Sequence, residues 1–225
     1  MIEPIIEKTK LGELQFLINQ INNGRLYHDL PFDLEKQGII IDYIRKDCQE
    51  RIDLISSHYD FKNKWGLDLG CYIGGITFRL NLLGAVTLGI ESGPDAIKLA
   101  EAIAAMYQPE TKFNLCSIES YFDNFSSVNN NPHDFCVYFG TFMWVIYHQG
   151  LKIASRNLSK ISNFFEVMFF ESSIGDGIAG PVMLELGLNT TENLISFIIE
   201  NSKFTQVKSL GKISWGNRDI LMFMR

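Results

Sequence analysis

The chain has 225 residues, 46% of them hydrophobic, which is ample for one α/β core and too little for two substantial ones. A formal net charge of −6 and a pI near 5.3 argue against sequence-independent binding along a nucleic-acid backbone and give weight to a small-molecule or saccharide partner. Four cysteines, Cys48, Cys71, Cys116 and Cys136, are scattered without CxxC spacing, which argues against a disulfide framework or a metal centre.

At the amino end, Met1 to Lys10 carries Glu3 and Glu7 and no apolar h-region. The longest apolar runs, such as Phe142 to Tyr147, fall far short of the roughly 20 residues that span a membrane, so a soluble, cytoplasmic protein is expected. Leu11, Leu14, Leu17, Ile18 and Ile21 recur at helical spacing, and Ile41, Ile44, Cys48, Ile52 and Ile55 do so again. Residues 1–60 therefore read as a helical extension or cap, with turns at Asn22-Asn23-Gly24 and Leu30-Pro31-Phe32, ahead of a core at 61–225.

From Trp65 strands and helices alternate. A strand Trp65 to Leu69 leads to a helix ending near Leu83 with Gly84 as its stop, then a strand Val86 to Ile90, a helix Pro94 to Tyr107 and a short strand Lys112 to Leu115. Asn124 to Pro132 is a polar loop before a strand Asp134 to Phe139, a helix through Lys152 to Leu158 and a buried strand Phe164 to Phe170. Past the Gly-rich loop Gly175 to Gly187, a helix opens at Thr190 or Thr191 with Glu192 in its first turn. The closing strands, Phe204 to Leu210 and Arg218 to Phe223, are joined by Gly211 to Asn217, too short for a covered parallel crossover and hence a hairpin. The fold class expected is α/β, a doubly wound seven-stranded sheet, mostly parallel, with an antiparallel C-terminal strand and the N-terminal helical extension.

The segment Trp65 to Gly75, WGLDLGCYIGG, followed by VTLGIES at Val86 to Ser92, carries the chemistry. Gly70 and Gly74 let a strand turn sharply with no Cβ between backbone and ligand. Glu91 stands at the carboxyl end of the next strand, where ligands sit in open parallel sheets, and its carboxylate can accept from both hydroxyls of a ribose. A glycine turn with an acid about 20 residues on also suits a dinucleotide, so this pattern alone leaves NAD open.

Asp68, two residues before Gly70, completes Asp-Leu-Gly-Cys-Tyr-Ile-Gly, which resembles motif I of the class I S-adenosylmethionine (SAM) methyltransferases. A last strand entered by a hairpin is a further likeness to that family, covering roughly Trp65 to Arg225. The resemblance implies SAM as cofactor and S-adenosylhomocysteine as product. Asp68, Gly70, Cys71, Tyr72 and Gly74 would line the methionine side, and Glu91 with Ser92 would hold the ribose. Ser117 would stand where the family usually has an acid near the adenine amine, Ile118 would cover the adenine face, and Phe139 and Gly140 would border the methyl donor. Tyr72 departs from the family by occupying the position of a middle glycine.

Candidate catalytic residues are His148, an imidazole able to serve as general base for an acceptor hydroxyl, and Glu171, an acid at the end of a buried strand. Trp144 and Tyr147 could line an acceptor pocket or simply cover the sheet edge. Arg45 and Arg51 would face water on an amphipathic helix, or, if that helix caps the pocket, bind the SAM carboxylate or an anionic acceptor. His28, His58 and His133 read as surface residues. Phe-Phe-Glu-Ser and Leu-Gly-Ala-Val-Thr-Leu-Gly-Ile-Glu look like bacterial methyltransferases of surface-polysaccharide assembly and are also similar to wobble-uridine tRNA methyltransferases. The expected activity is O-methylation of a small molecule or saccharide, without a metal. The alternatives are an RNA methyltransferase, a non-catalytic module that keeps the fold, and an NAD-dependent oxidoreductase.

Overall fold

The computed structural model describes residues 8–125, 133–174 and 177–225. Most of the amino-terminal segment, most of the asparagine-rich loop and part of the Gly175 to Gly187 loop lie outside them. In chain order the main elements are α1 (Lys8–Gln20), β1 (Arg25–His28), β2 (Asp42–Arg45), α2 (Cys48–Ser56), β3 (Trp65–Leu69), α3 (Gly75–Leu82), β4 (Val86–Glu91), α4 (Pro94–Tyr107) and β5 (Lys112–Leu115). They continue with α5 (Ile118–Phe125), β6 (His133–Phe139), α6 (Phe142–Gln149), α7 (Leu151–Phe164), β7 (Phe165–Glu171), α8 (Gly180–Glu185), α9 (Thr191–Glu200), β8 (Gln206–Lys212) and β9 (Asp219–Met224).

Seven strands form one sheet in the order β5-β4-β3-β6-β7-β9-β8. The pairings from β5 through β7 are parallel, and β9 runs antiparallel to both neighbours, so the closing hairpin is present. The chain winds one way from β3 and the other way from β6, which opens a crevice at the carboxyl ends of those two strands.

Period-2 alternation divides the core cleanly. Leu67, Leu69, Cys136, Tyr138, Met168 and Phe170 pack into one cluster with α7 and α9. Phe135, Val137, Phe139 and Phe169, the intervening residues, pack on the other face with α2 and α3. Strands whose residues are buried on both faces need apolar side chains at almost every position, and β6 and β7 have them.

The N-terminal extension is partly different from the helical reading. Its two helices, α1 and α2, are there, but between them β1 and β2 pair as a short parallel ribbon, Leu26 opposite Tyr43. Ile41 and Ile44 belong to the approach and body of β2, because helical spacing over so short a run also fits an extended segment. Leu14, Ile18, Leu26 and Leu30 share a core with Ile73, Phe78, Leu99 and Ile103, so the extension is packed into the sheet-covering layer. Arg79 of α3 ties it further, with Nη2 2.5 Å from Asp29 Oδ2. A helix, α8, also lies inside what reads as a glycine-rich loop, and α9 is capped by Thr190, whose hydroxyl accepts the Asn193 N–H at 3.1 Å.

Candidate functional site

The turn after β3 is built from left-handed residues: Gly70 at φ 78, Tyr72 at φ 52 and Gly74 at φ 85. Gly70 and Cys71 both donate their N–H to Ile90 O, at 2.8 and 3.0 Å, which folds the turn back over β4. A Cβ on Gly70 would run into the Thr141 hydroxyl, and one on Gly74 would lie 2.7 Å from the Phe113 ring. Both glycines are thus required by conformation and by space.

Tyr72 is a tyrosine in a conformation that disfavours side chains, at a cost of order 1–2 kcal/mol. Its surroundings hold it there. The Tyr72 N–H donates to Glu91 Oε2 at 3.1 Å, its phenol oxygen accepts the Tyr27 N–H at 3.3 Å, and its ring meets His28 edge-on at 5.9 Å. The ring therefore packs against the N-terminal ribbon.

Glu91 is the best-organised group in the crevice. Oε1 accepts the N–H groups of Ser92 at 2.7 Å and Gly93 at 2.8 Å, while Oε2 takes the Tyr72 N–H. Three backbone donors hold the carboxylate in one place, half-buried, with Oε2 keeping a free lone pair. Beneath it Asp68 is buried and accepts the Thr77 hydroxyl at 2.7 Å. Burial pushes the Asp68 carboxyl up to about 6 against the lowering effect of the Thr77 hydrogen bonds.

A cleft of about 520 Å³, counting its open mouth, runs over the carboxyl ends of β3, β4 and β5. Gly70, Ile90, Glu91, Ser92, Cys116, Ser117, Ile118, Thr141, Trp144, Val145, His148 and Gln149 line it. Five expected cofactor contacts, Gly70, Glu91, Ser92, Ser117 and Ile118, and the candidate base His148 are thus brought to one cavity. Ser117 Oγ is already engaged, donating to Ser120 Oγ at 3.0 Å and accepting the Ser120 N–H at 3.1 Å as it caps α5. His148 is exposed and stacks on Trp144 at 5.8 Å. Cys71 is buried, and a Cβ on Gly89 would come within 2.8 Å of its sulfur, so its side chain packs between strands.

Glu171 lies apart from His148. It is wholly buried, with Oε2 accepting from Arg51 Nη2 at 2.8 Å and Oε1 from Arg218 Nη1 at 2.7 Å. Gly140, at the end of β6, donates its N–H to Glu171 O at 2.8 Å, and Phe139 lies under the Arg51 guanidinium at 5.6 Å. The placement of Arg45 and Arg51 in water is corrected: both are buried. Arg45 makes a two-point contact with Asp47, 3.0 and 2.5 Å, between the rings of Tyr27 and Trp215. The burial of two guanidinium groups follows from the carboxylates that fold in beside them.

His28 is likewise corrected from surface to interior. Burial, then the charges of Arg51, Arg45, Arg79 and Arg218, lower it well below the usual imidazole range. With Arg51 Nη1 3.5 Å from Nε2, that nitrogen is the acceptor and the ring is neutral. His58 is exposed as expected, and the His133 side chain lies outside the described residues. Thr77, Thr141, Gln149 and Arg218 carry site contacts that sequence reading passed over. Only Thr141, next to Gly140, had a positional signal.

This sheet order, glycine turn and strand-end carboxylate have the fold of the class I SAM-dependent methyltransferases. No family model matches the chain. A curated relative, the O-antigen chain terminator bifunctional methyltransferase/kinase WbdD of Escherichia coli, is 25% identical over 137 residues, which is 57% of this chain. The match takes in 19% of that relative's length, so the chain corresponds to a minor part of it. The solved structure of the bifunctional kinase-methyltransferase WbdD superposes with a TM-score of 0.74 at 19% identity, covering 94% of this chain and 45% of that one. EvdMO1 superposes at 0.63 with 14% identity, covering 95% of this chain and 47% of that one. Magnesium protoporphyrin IX methyltransferase from Synechocystis with bound SAM superposes at 0.55 with 13% identity, covering 79% and 76%. The local likeness to surface-polysaccharide methyltransferases is met by the WbdD match. Among the described residues no helix is long and apolar enough to cross a membrane.

Proposed function

We propose that the chain is a SAM-dependent methyltransferase acting on an oxygen of a small molecule or saccharide. The observation that carries this reading is the Glu91 carboxylate, held by three backbone N–H groups and lining the same cleft as the Gly70 turn. Groups fixed before a ligand arrives lose little freedom on binding it. When bound, SAM supplies a methyl already activated by its positive sulfur.

The chain's own work is then alignment. Glu91 and Ser92 hold ribose hydroxyls, Ile118 covers the adenine, and Asp68, Gly70, Cys71, Tyr72 and Gly74 form the floor on the methionine side. Phe139 and Gly140 border the place of transfer. Holding an acceptor oxygen about 3–3.5 Å from the reacting carbon supplies much of the rate. His148, exposed on the cleft wall, is the imidazole available to take an acceptor proton. Glu171 acts through Arg51 and Arg218, since both its oxygens are occupied. The E. coli relative's description as an O-antigen chain terminator supports a saccharide acceptor.

Calorimetry with SAM and S-adenosylhomocysteine tests the reading: binding of both is expected, and absence of both refutes it. Thermal protection by NADH but by neither SAM species would instead favour the dinucleotide alternative.

A further inference from the structure

Among the described residues four non-glycines have positive φ, and three of them, Asn22, Asn23 and Asn63, are asparagines, which tolerate that region. Tyr72 is the fourth. A bulky residue persists there only where its surroundings over-determine it, and such outliers gather at ligand clamps. The surroundings of Tyr72 are two-sided. Its backbone N–H donates to Glu91 Oε2 at 3.1 Å, within the glycine turn. Its side chain belongs to the N-terminal ribbon: the phenol oxygen accepts the Tyr27 N–H at 3.3 Å, and the ring meets His28 edge-on. Contacts continue beyond the ribbon, from His28 Nε2 to Arg51 Nη1 at 3.5 Å and from the Tyr27 ring to the Arg45 guanidinium at 5.4 Å.

Resting on the SAM reading above, we propose that Tyr72 is a positioning residue that makes the β1/β2 ribbon part of the cofactor site. The ribbon fixes the Tyr72 ring, the ring fixes the backbone of the turn, and the turn aims the N–H that holds Glu91. A glycine at φ 52 would be unstrained, but it would also leave that conformation at little cost and carry its N–H away from the carboxylate. With tyrosine the strain is offset only while Tyr27 and His28 are in place, so ribbon, turn and carboxylate tighten or loosen together. Such a link is reciprocal: a ligand that fixes Glu91 tightens the ribbon, and loosening the ribbon weakens the ligand.

Amide exchange followed by NMR, and calorimetry with S-adenosylhomocysteine, test the link on the full chain through three variants. Tyr72→Phe keeps the ring and loses the hydrogen bond from Tyr27, while Tyr72→Gly suits the φ of the turn and loses both anchors. Arg25→Ala breaks the exposed 2.9 Å ion pair to Asp42 across the same ribbon without touching Tyr72. Without ligand, the Ser92 and Gly93 amides, which donate to the same carboxylate, are expected to exchange faster in both Tyr72 variants than in the unmodified protein or Arg25→Ala. With S-adenosylhomocysteine, the Tyr27 amide of the unmodified protein gains protection. Tyr72→Phe binds that compound about two- to tenfold more weakly, the range of one net hydrogen bond, and Arg25→Ala binds it unchanged. A merely structural tyrosine would lower the melting temperature and leave the affinity and the Ser92 and Gly93 amides alone; that result, or an equal loss in Arg25→Ala, overturns the proposal. Failure of the unmodified protein to bind S-adenosylhomocysteine refutes the SAM reading, and the ligand-free exchange then still decides whether Tyr72 positions Glu91.

Discussion

Replacing Glu171 by Gln removes one charge from a cluster of three guanidinium groups and two carboxylates: Arg45, Arg51 and Arg218 with Asp47 and Glu171. The Glu171 and Arg51 side chains are 0% exposed and that of Arg218 is 4% exposed, so water screens none of these contacts appreciably. Each pair attracts by about 4 kcal/mol at an effective dielectric near 20, and most of that is offset by the desolvation already incurred in burying the charges. The substitution leaves the desolvated arginines in place and raises the net charge of the cluster from +1 to +2. The amide also turns an N–H toward one guanidinium. Breaking a buried pair this way costs about 3–5 kcal/mol. At roughly 2–4 °C per kcal/mol for a chain of this size, the melting temperature should fall by about 6–20 °C. Urea unfolding of Glu171→Gln and the unmodified protein, with the denaturant slope compared, measures the loss directly. A loss below about 1 kcal/mol at unchanged slope would refute the claim that this carboxylate holds the arginines.

Two further outcomes are expected. Asp68 has a carboxyl pushed up to about 6 by burial, whereas an unfolded aspartate titrates at roughly 3.9. Between those values the native state keeps a proton that the unfolded chain has released, so stability falls as pH rises through that window, by up to about 3 kcal/mol. Asp68→Asn should remove that slope, and urea midpoints at pH 4.5 and 7 that move in parallel for both proteins would show the carboxyl to be unperturbed. Glu91→Gln turns an acceptor oxygen into an N–H donor facing the N–H groups of Tyr72, Ser92 or Gly93. It should weaken S-adenosylhomocysteine binding about tenfold or more and cost about 1–3 kcal/mol of stability. Calorimetry and urea unfolding of that variant read the two effects separately.

How much of this was legible in the chain depends on how local each cause is. Gly70, Gly74 and Glu91 could be read because a strand that stops, turns and delivers a carboxylate is described within a few dozen residues. The alternation of strands and helices, the hairpin and the Thr190 cap were legible for the same reason. The β1/β2 ribbon was not, since four-residue strands with two apolar positions each satisfy helical and extended periodicity alike.

The buried charges were less legible still. Nothing near Arg51 in sequence announces Glu171, 120 positions away, and Arg218 meets that same carboxylate from 47 positions away. Without those partners an arginine on an amphipathic helix belongs in water. His28 is held well below the usual imidazole range first by burial and then by the four arginines that fold in around it. Tyr72 could be seen to stand where a glycine is usual, but the direction of its ring was settled by Tyr27 and His28, which arrive on the ribbon. By itself the sequence determined the sheet, its winding and the glycine turn after β3, because these follow from hydrophobic period and backbone freedom along contiguous stretches. The tertiary structure alone decided which charges are buried and which way Tyr72 points, because each of these depends on hydrogen-bond partners that only folding brings together.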